Sequence, residues 1–376
     1  MSILVINAGS SSIKYSLYDF VTLAVIDHGL LEEISNHHEG FERMRAQLLI
    51  HNIDISHVNA IGHRVVHGGE RFHAPALIDD TLIREISDLI PLAPLHNPAN
   101  LEGILAAQTI APNVPNFAIF DTAFHQTMPP YAYRYPLPYN LYETYHVRRY
   151  GFHGTSHHYV STQAAHLLQK PLESLNLISF HIGNGVSACA IEKGKSIDTS
   201  MGMTPLEGLM MGTRSGSIDP SIIGYLMHEK KMTIEEIDLL LNKKSGLLAI
   251  AGTNDLRSIL LAKEQGDTNA ALAIDMFVYR LKKQLGAYMA VLQGVDAVIF
   301  TGGIGEHSAV IREAMCEGIK HLGIMLNTDK NNNNESRIDD STSTVALLVI
   351  PTDEERQIAV YVQQILKPKN NTKESL

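Results

Sequence analysis

The chain has 376 residues, room for two domains of ordinary size, and its 45% hydrophobic and 19% charged content excludes wholesale disorder. Against 30 basic residues stand 40 acidic ones, and the net charge of −10 gives no electrostatic footprint for a nucleic-acid backbone or an anionic membrane. Only Cys189 and Cys316 are present, too few for a disulfide scaffold or a zinc knuckle, which predicts a reducing, cytoplasmic setting. The opening MSILVINAGSSS carries no basic stretch or long apolar core, so no secretory leader is expected, and no apolar run is long enough to span a bilayer.

The first predicted elements are a strand (ILVIN), a small polar turn (AGSSS) and a second strand (IKYSLYDF), spanning Ile3 to Phe20. A buried strand follows in Asn59 to Gly69 (NAIGHRVVHGG). Another lies in Asn116 to His125 (NFAIFDTAFH), with Asp121 after its apolar run. Leu175 to Lys193 repeats the opening plan of strand, glycine turn and strand, which predicts two related α/β domains. From Asn269 to Leu292, apolar residues at Ala270, Ile274, Phe277, Leu281, Leu285, Tyr288 and Leu292 have the spacing of a long, mostly buried helix. A strand (DAVIF) comes next, then the glycine turn TGGIGEH and a helix from about Ser308. The polar stretch Thr328 to Thr344 is expected to be an exposed loop without chemistry, and the tail after Lys367 to fray.

Several segments hold residues suited to anion chemistry. N-A-G-S-S-S-I-K (Asn7 to Lys14) offers backbone N–H groups, hydroxyls and one cation, the inventory of a phosphate cradle, although the P-loop pattern is absent. A serine-rich hairpin turn is equally at home as plain structure. Strand alternation puts Arg64 and Val66 on one face and His63, Val65 and His67 on the other. A guanidinium in an apolar strand needs an anion, either a ligand or an internal Asp or Glu. His63 and His67 read as core histidines, because no carboxylate or Cys motif accompanies them. Asp121 ends a strand, where α/β proteins place their crevices, and suits either metal binding or capping. His153 stands between Gly151 and Gly154, free to approach a ligand closely, and Arg214 is a lone arginine in a glycine-flanked turn.

Together these segments resemble the acetate kinase family over nearly the whole chain and in matching order. The matches include V-I-N-A-G-S-S-S-I-K, G-H-R-V-V-H-G-G-E, P-L-A-P-L-H-N-P, F-D-T-A-F-H-Q-T-M-P, R-Y-G-F-H-G-T-S-H, H-I-G-N-G, D-T-S-M-G-M-T-P-L-E-G-L-M-M-G-T-R-S-G, T-G-G-I-G-E and I-P-T-D-E-E. The resemblance implies two duplicated actin-like (ribonuclease H-like) α/β domains around a nucleotide cleft, residues 1–125 and 126–357. A last helix, about 358–376, would return to the first domain. It further implies Mg²⁺-dependent transfer of phosphate between ATP and acetate, giving ADP and acetyl phosphate, with Mn²⁺ able to substitute, in a homodimer.

By matching position, the resemblance assigns Asn7 and Glu354 to the magnesium site, and Ser10, Ser12 and Lys14 to a phosphate hairpin. Arg64 and Arg214 correspond to the arginines on carboxylate and phosphoryl group, Asp121 to the essential aspartate, and His153, with His181 nearby, to a transition-state stabiliser. Val66, Leu95, Phe152 and Pro205 would line the methyl pocket. Nucleotide contacts would come from His181, Ile182, Gly183, Asn184 and Gly185, from Asp255, Leu256 and Arg257, and from Gly303, Ile304, Gly305, Glu306 and His307. The chain departs from the family pattern in a shorter stretch between Phe20 and Asn59, in His307 where Asn is usual, and in Ser217 where Asp is commoner. A propionate kinase on the same scaffold is the nearest alternative. A non-catalytic actin-like module has no use for an apolar pocket beside Arg64, and a histidine-based metal hydrolase would need an H-E-x-x-H spacing that the sequence lacks.

Overall fold

The computed structural model describes residues 1–9, 11–34, 36–94 and 96–367. Ser10 and Leu95, assigned above to the phosphate hairpin and the methyl pocket, lie outside the described residues, as does the tail after Lys367. The chain divides into two compact units, Met1–Ala123 with the chain from Asp353 onward, and Phe124–Thr352.

The first unit is built on β1 (Ser2–Ala8), β2 (Ser12–Asp19), β3 (Val25–Glu32), β4 (Ala60–Val65), β5 (Ala76–Leu77) and β6 (Asn116–Phe120), in the order β3-β2-β1-β4-β6-β5. β1 and β2 form the expected antiparallel hairpin, while β4 and β6 add in parallel. Alternation along β1 separates two cores. Leu4 and Ile6 pack with Phe41, Met44 and Leu48 of the helix His37–Ile50. Ile3 and Val5 pack with Ile358, Ala359 and Val362 of the helix Glu354–Leu366. That helix begins at Glu354, capped by the Asp353 carboxylate on the Arg356 N–H, four residues earlier than the sequence suggested. Gly62 makes its close approach possible, because a Cβ there would stand 2.7 Å from Ile358 Cγ2.

The second unit repeats the plan with β7 (Asn176–Ile182), β8 (Val186–Glu192), β9 (Lys195–Thr199), β10 (Ala297–Thr301) and β11 (Ala346–Val349), in the order β11-β10-β7-β8-β9. β7 and β8 are an antiparallel hairpin, and β10 and β11 join in parallel. The five-strand order therefore matches β6-β4-β1-β2-β3 of the first unit, and the duplication read from two hairpins is a duplicated α/β, actin-like architecture. The predicted long helix spans Thr268–Leu292, started by the Asp267 carboxylate on the Asn269 and Ala270 N–H groups.

Three local expectations need correction. The turn TGGIGEH is a short helix, Gly302–His307, entered through Gly302 at φ +75. The polar stretch from Thr328 holds a short helix, Thr328–Asn332, and buries Asn331, Ile338 and Asp339. The strand carrying Arg64 ends at Val65, so strand alternation does not fix the direction of Val66.

Candidate active site

In the first unit the alternation that sends Ile3 and Val5 toward the helix Glu354–Leu366 also brings Asn7 to that side. β4 and β6 end on the same side with Arg64 and Asp121. The polar residues thus gather at the C-terminal ends of parallel strands, where α/β sheets open their crevices. Arg64 Nη2 donates to the Asp121 carboxylate and Nη1 to Asn7 Oδ1 at 3.4 Å. Its Nε lies 3.7 Å from Glu354 Oε2, buried and, among the described residues, without a hydrogen-bond partner. An unsatisfied charged donor of this kind has capacity left for an anionic ligand. Burial raises the Glu354 carboxyl to about 7; Arg64 works against this, and Asp121 and Glu355 add to it. Lys14 pairs with Glu355 at 2.8 Å, a carboxylate that sequence reading did not single out.

The oxygens of Asn7, Asp121 and Glu354 are hard donors, and a divalent cation beside Glu354 would favour the ionised carboxylate that burial disfavours. Among the described residues no group of three or more His, Cys, Asp and Glu side chains forms a metal cage. An ion held here would therefore keep water and substrate oxygens in its shell, as Mg²⁺ does.

The segment after β4 is fixed by two buried asparagines, Asn97, which sequence reading met only as part of a motif, and Asn100, which it passed over. Asn97 accepts the His67 N–H and donates to the His67 carbonyl, both at 3.1 Å. Asn100 accepts the Val66 N–H at 3.0 Å and donates to Ala8 O at 2.8 Å, beside the Gly9 turn. Their i, i+3 spacing on the helix Asn97–Ile110 puts both on one face, a signal available in H-N-P-A-N. Gly9 closes the hairpin through its N–H to Ser12 O at 2.8 Å.

In the second unit His153, His181 and Arg214 converge on the turn Gly183–Gly185. His153 caps the helix Gly154–Leu168 in the left-handed region, φ +56, which His tolerates better than bulkier residues do. Its ring stacks on His181 with centroids 4.2 Å apart. A hydrogen-bonded chain holds it: His153 Nδ1 to Ser187 Oγ at 2.8 Å, Ser187 Oγ to His157 Nε2 at 2.8 Å, and His157 Nδ1 to Ser179 Oγ at 2.6 Å. His181 Nδ1 meets Ser156 Oγ at 2.9 Å. A Cβ on Gly185 would stand 3.5 Å from His153 Nε2 and 3.7 Å from Arg214 Nη1, so both polar groups face the same turn.

Arg214 is half-buried, and burial lowers its pKa. Among the described residues its guanidinium reaches only Pro205 O at 3.4 Å and Met211 Sδ at 3.7 Å. The loop that carries it is fixed by Arg149, which donates to the carbonyls of Thr199, Ser200 and Met201 and pairs with Glu207 at 2.7 Å. Phe152 is buried, its carbonyl accepting from His125 Nε2 at 3.0 Å, and Pro205 is half-buried.

A cavity of about 850 Å³ opens from the same turn. Of the residues assigned to a nucleotide, Gly183, Asn184, Asp255, Leu256, Arg257, Gly303, Ile304 and His307 line it, together with Gly212, Leu247, Asn254, Leu260, Ser308, Ala309 and Val310, which sequence reading missed. Gly212 is required by packing, since a Cβ there would lie 2.0 Å from Asn184 Oδ1. His181, Ile182, Gly185, Gly305 and Glu306 do not line it. Glu306 instead turns inward, accepting the N–H groups of Gly302 at 2.9 Å and Thr352 at 3.0 Å. His307 is exposed at the rim.

The family model described as the Acetokinase family matches residues 29–360. An acetate kinase of Sulfurovum sp. (strain NBC37-1) is 51% identical over 392 aligned positions, covering 97% of this chain and 99% of that protein. Among solved structures, an acetate kinase of Porphyromonas gingivalis superposes with TM-score 0.92 at 40% identity, covering 97% of this chain and 100% of the other. A propionate kinase of Francisella tularensis superposes equally well, 0.92 at 44% identity, over 96% and 98%. On this evidence the chain belongs to the acetokinase family.

Proposed function

We propose that this kinase transfers the γ-phosphoryl group of ATP reversibly and directly to acetate, giving acetyl phosphate and ADP. The observation that carries the reading is Arg214: a half-buried cation with no carboxylate partner among the described residues, facing the Gly183–Gly185 turn together with His153, beside a cavity large enough for a nucleotide. A carboxylate oxygen attacks phosphorus while the bond to the β-phosphate's bridging oxygen breaks, and ADP leaves with that electron pair. The acid is already ionised at neutral pH, so no base is required. Catalysis then rests on alignment and on positive charge around the equatorial oxygens.

Within this reading Arg64 takes the acid's carboxylate through its unsatisfied Nε–H and its Nη groups. The family resemblance assigns Val66, Leu95, Phe152 and Pro205 to its methyl group. Arg214 and His153, with His181 behind it, stabilise the transferring phosphoryl group, and Lys14, Ser10 and Ser12 hold phosphate oxygens. Asp121 orients Arg64 and, with Asn7 and Glu354, would hold Mg²⁺ or Mn²⁺. When bound, the ion neutralises phosphate charge and orients the oxygens. The two buried free cysteines agree with a cytoplasmic setting, and among the described residues no helix is long and apolar enough to cross a membrane. The homodimer implied by the family resemblance is part of the same reading.

A coupled assay for acyl phosphate formation tests this, with acetate, propionate and butyrate offered separately. Activity with acetate that vanishes in excess chelator and returns with Mg²⁺ or Mn²⁺ is expected; full turnover in chelator refutes the metal assignment. A preference for propionate is the second reading, supported by the equal superposition on the propionate kinase.

A further inference from the structure

The asparagine-rich stretch after Thr328 looks uninformative in sequence, yet it meets the most completely buried cation of the second unit. Arg312, in the helix Ala309–Cys316, has no exposed surface, and neither has Asn331. The guanidinium has five N–H donors and meets five acceptors. Nε donates to Asn331 Oδ1 at 2.8 Å, and Nη2 to Asn331 O at 2.9 Å and Asn334 Oδ1 at 2.6 Å. Nη1 donates to Gly305 O and Glu306 O, both at 2.8 Å. None of these acceptors is a carboxylate. Burial pushes the guanidinium pKa down to about 10. A cation placed this way is poorly explained as a support for stability, since an apolar side chain of similar volume avoids the desolvation.

Its bonds explain it better as a device that fixes backbone. Gly303, Ile304, His307, Ser308 and Ala309 line the large cavity. Arg312 grips the carbonyls of Gly305 and Glu306 within that stretch, and Asn331 Nδ2 holds the carbonyl of Ala309 at 2.9 Å. Asn331 and Asn334 are three apart, and Asn334 reaches Arg312 from a left-handed conformation, φ 50, that Asn adopts readily.

We propose that Arg312, Asn331 and Asn334 form a clamp that sets the backbone of residues 303–309 for ATP, making Arg312 a positioning residue for the nucleotide. This rests on the reading of the cavity as the nucleotide site. A glycine-rich segment loses much conformational freedom when ordered, so holding it before the ligand arrives favours binding. The acid and the reacting phosphoryl group are served by other residues, so the effect falls on nucleotide affinity.

The experiment compares wild type with Asn334→Ala, Arg312→Lys and Arg312→Met. ATP binding is measured by titration calorimetry in the presence of Mg²⁺, and steady-state KM and kcat are measured for ATP and for acetate. Asn334 is exposed, so its variant is expected to fold even if Arg312→Met does not. Loss of charge-assisted hydrogen bonds predicts ATP binding weakened about 5- to 20-fold in Arg312→Met and about 3-fold in Asn334→Ala. Arg312→Lys should lie between wild type and Arg312→Met. The KM for acetate and kcat should stay within about 2-fold. Unchanged ATP affinity in folded Asn334→Ala and Arg312→Lys overturns the proposal, as does a parallel loss in the KM for acetate. A wild type that binds ATP but makes no acyl phosphate refutes the transfer reading alone, and the calorimetric comparison still decides on the clamp.

Discussion

Arg64 and Asp121 are bonded to each other at the ends of two adjacent parallel strands, with Asp121 almost wholly removed from solvent at 1% exposure. The arginine is therefore the charge partner of a buried carboxylate, and in the proposed function it is also the cation that takes the acid. Sequence reading treated a ligand and an internal carboxylate as alternative anions for Arg64, and the structure shows the internal one. Arg64→Ala should lower kcat/KM on the order of 10²–10³-fold. It should also destabilise the first unit, by up to about 3–5 kcal/mol, because the buried Asp121 carboxylate loses its arginine. Adding Asp121→Asn should restore much of the stability and none of the activity. Denaturant unfolding beside kinetics separates the two roles; a single variant as stable as wild type would show that Asp121 does not depend on Arg64.

Arg214 should behave oppositely. Its contacts are a 3.4 Å approach to a carbonyl and a 3.7 Å approach to a thioether, so no buried anion depends on it. Arg214→Ala is expected to change stability by no more than about 0.5 kcal/mol, as for substitutions away from special features. It should lose kcat/KM by an order of 10²–10³, as when one transition-state donor is removed. A variant that unfolds early, or one with near-native turnover, would contradict this placement.

Acid should weaken both units through histidines kept neutral in the fold. Burial lowers His63, His67 and His125 to about 4, and His157 further below its usual range. Their ordinary value is about 6.5, so between about pH 6.5 and 4 the unfolded chain binds protons that the folded chain refuses. These groups therefore favour the folded state fully above about pH 6.5. Stability falls as pH drops through that window, by up to about 1.4 kcal/mol per pH unit for each histidine. Denaturant midpoints from pH 7.5 to 4.5 should fall in wild type and fall less steeply in His63→Asn. An equal slope in a folded His63→Asn would remove His63 from the account.

The elements legible in the sequence were short apolar runs bounded by turns and one helical stripe. The strands of both hairpins are apolar runs buried on both faces around small polar turns, and the helix Thr268–Leu292 shows its buried stripe at three-and-four spacing. Arg64 and Asp121 were visible as charges in apolar strands. Residues that act by binding backbone were harder to read: Asn331 has no local pattern that sets it apart from a surface asparagine, and the i, i+3 pair Asn97 and Asn100 gains its meaning only once the helix is placed against the backbone it holds. The run N-N-N-N reads as polar loop even though its first residue is fully buried. Gly302–His307 reads as a turn because glycine is a poor helix former; there Glu306 stabilises the first turn by accepting the Gly302 N–H.

Acid selectivity is the remaining prediction, and it turns on Val66. Beyond the end of β4 the backbone is held by side chains: Asn100 accepts the Val66 N–H, and Asn97 brackets His67 through both its groups. With that frame fixed, Val66→Ala should change volume without moving Arg64. Val66 is buried, and removing its two methyl groups should cost about 1–2 kcal/mol of stability at roughly 0.8 kcal/mol per carbon. If Arg64 holds the carboxylate, the acid's carbon tail meets whatever wall the next residue provides. A valine wall accommodates the methyl of acetate and crowds the extra methylene of propionate. One methylene in such a pocket is worth about 10–200-fold, so acetate should be preferred in kcat/KM and propionate still turned over. In Val66→Ala the ratio should shift toward propionate, chiefly through a lower KM for the larger acid, while the KM for ATP stays put. The measurement is kcat/KM for both acids in both proteins at saturating ATP. An unchanged ratio in the folded variant would mean that Val66 does not meet the acid, and a wild type that already prefers propionate would favour the second reading of the activity.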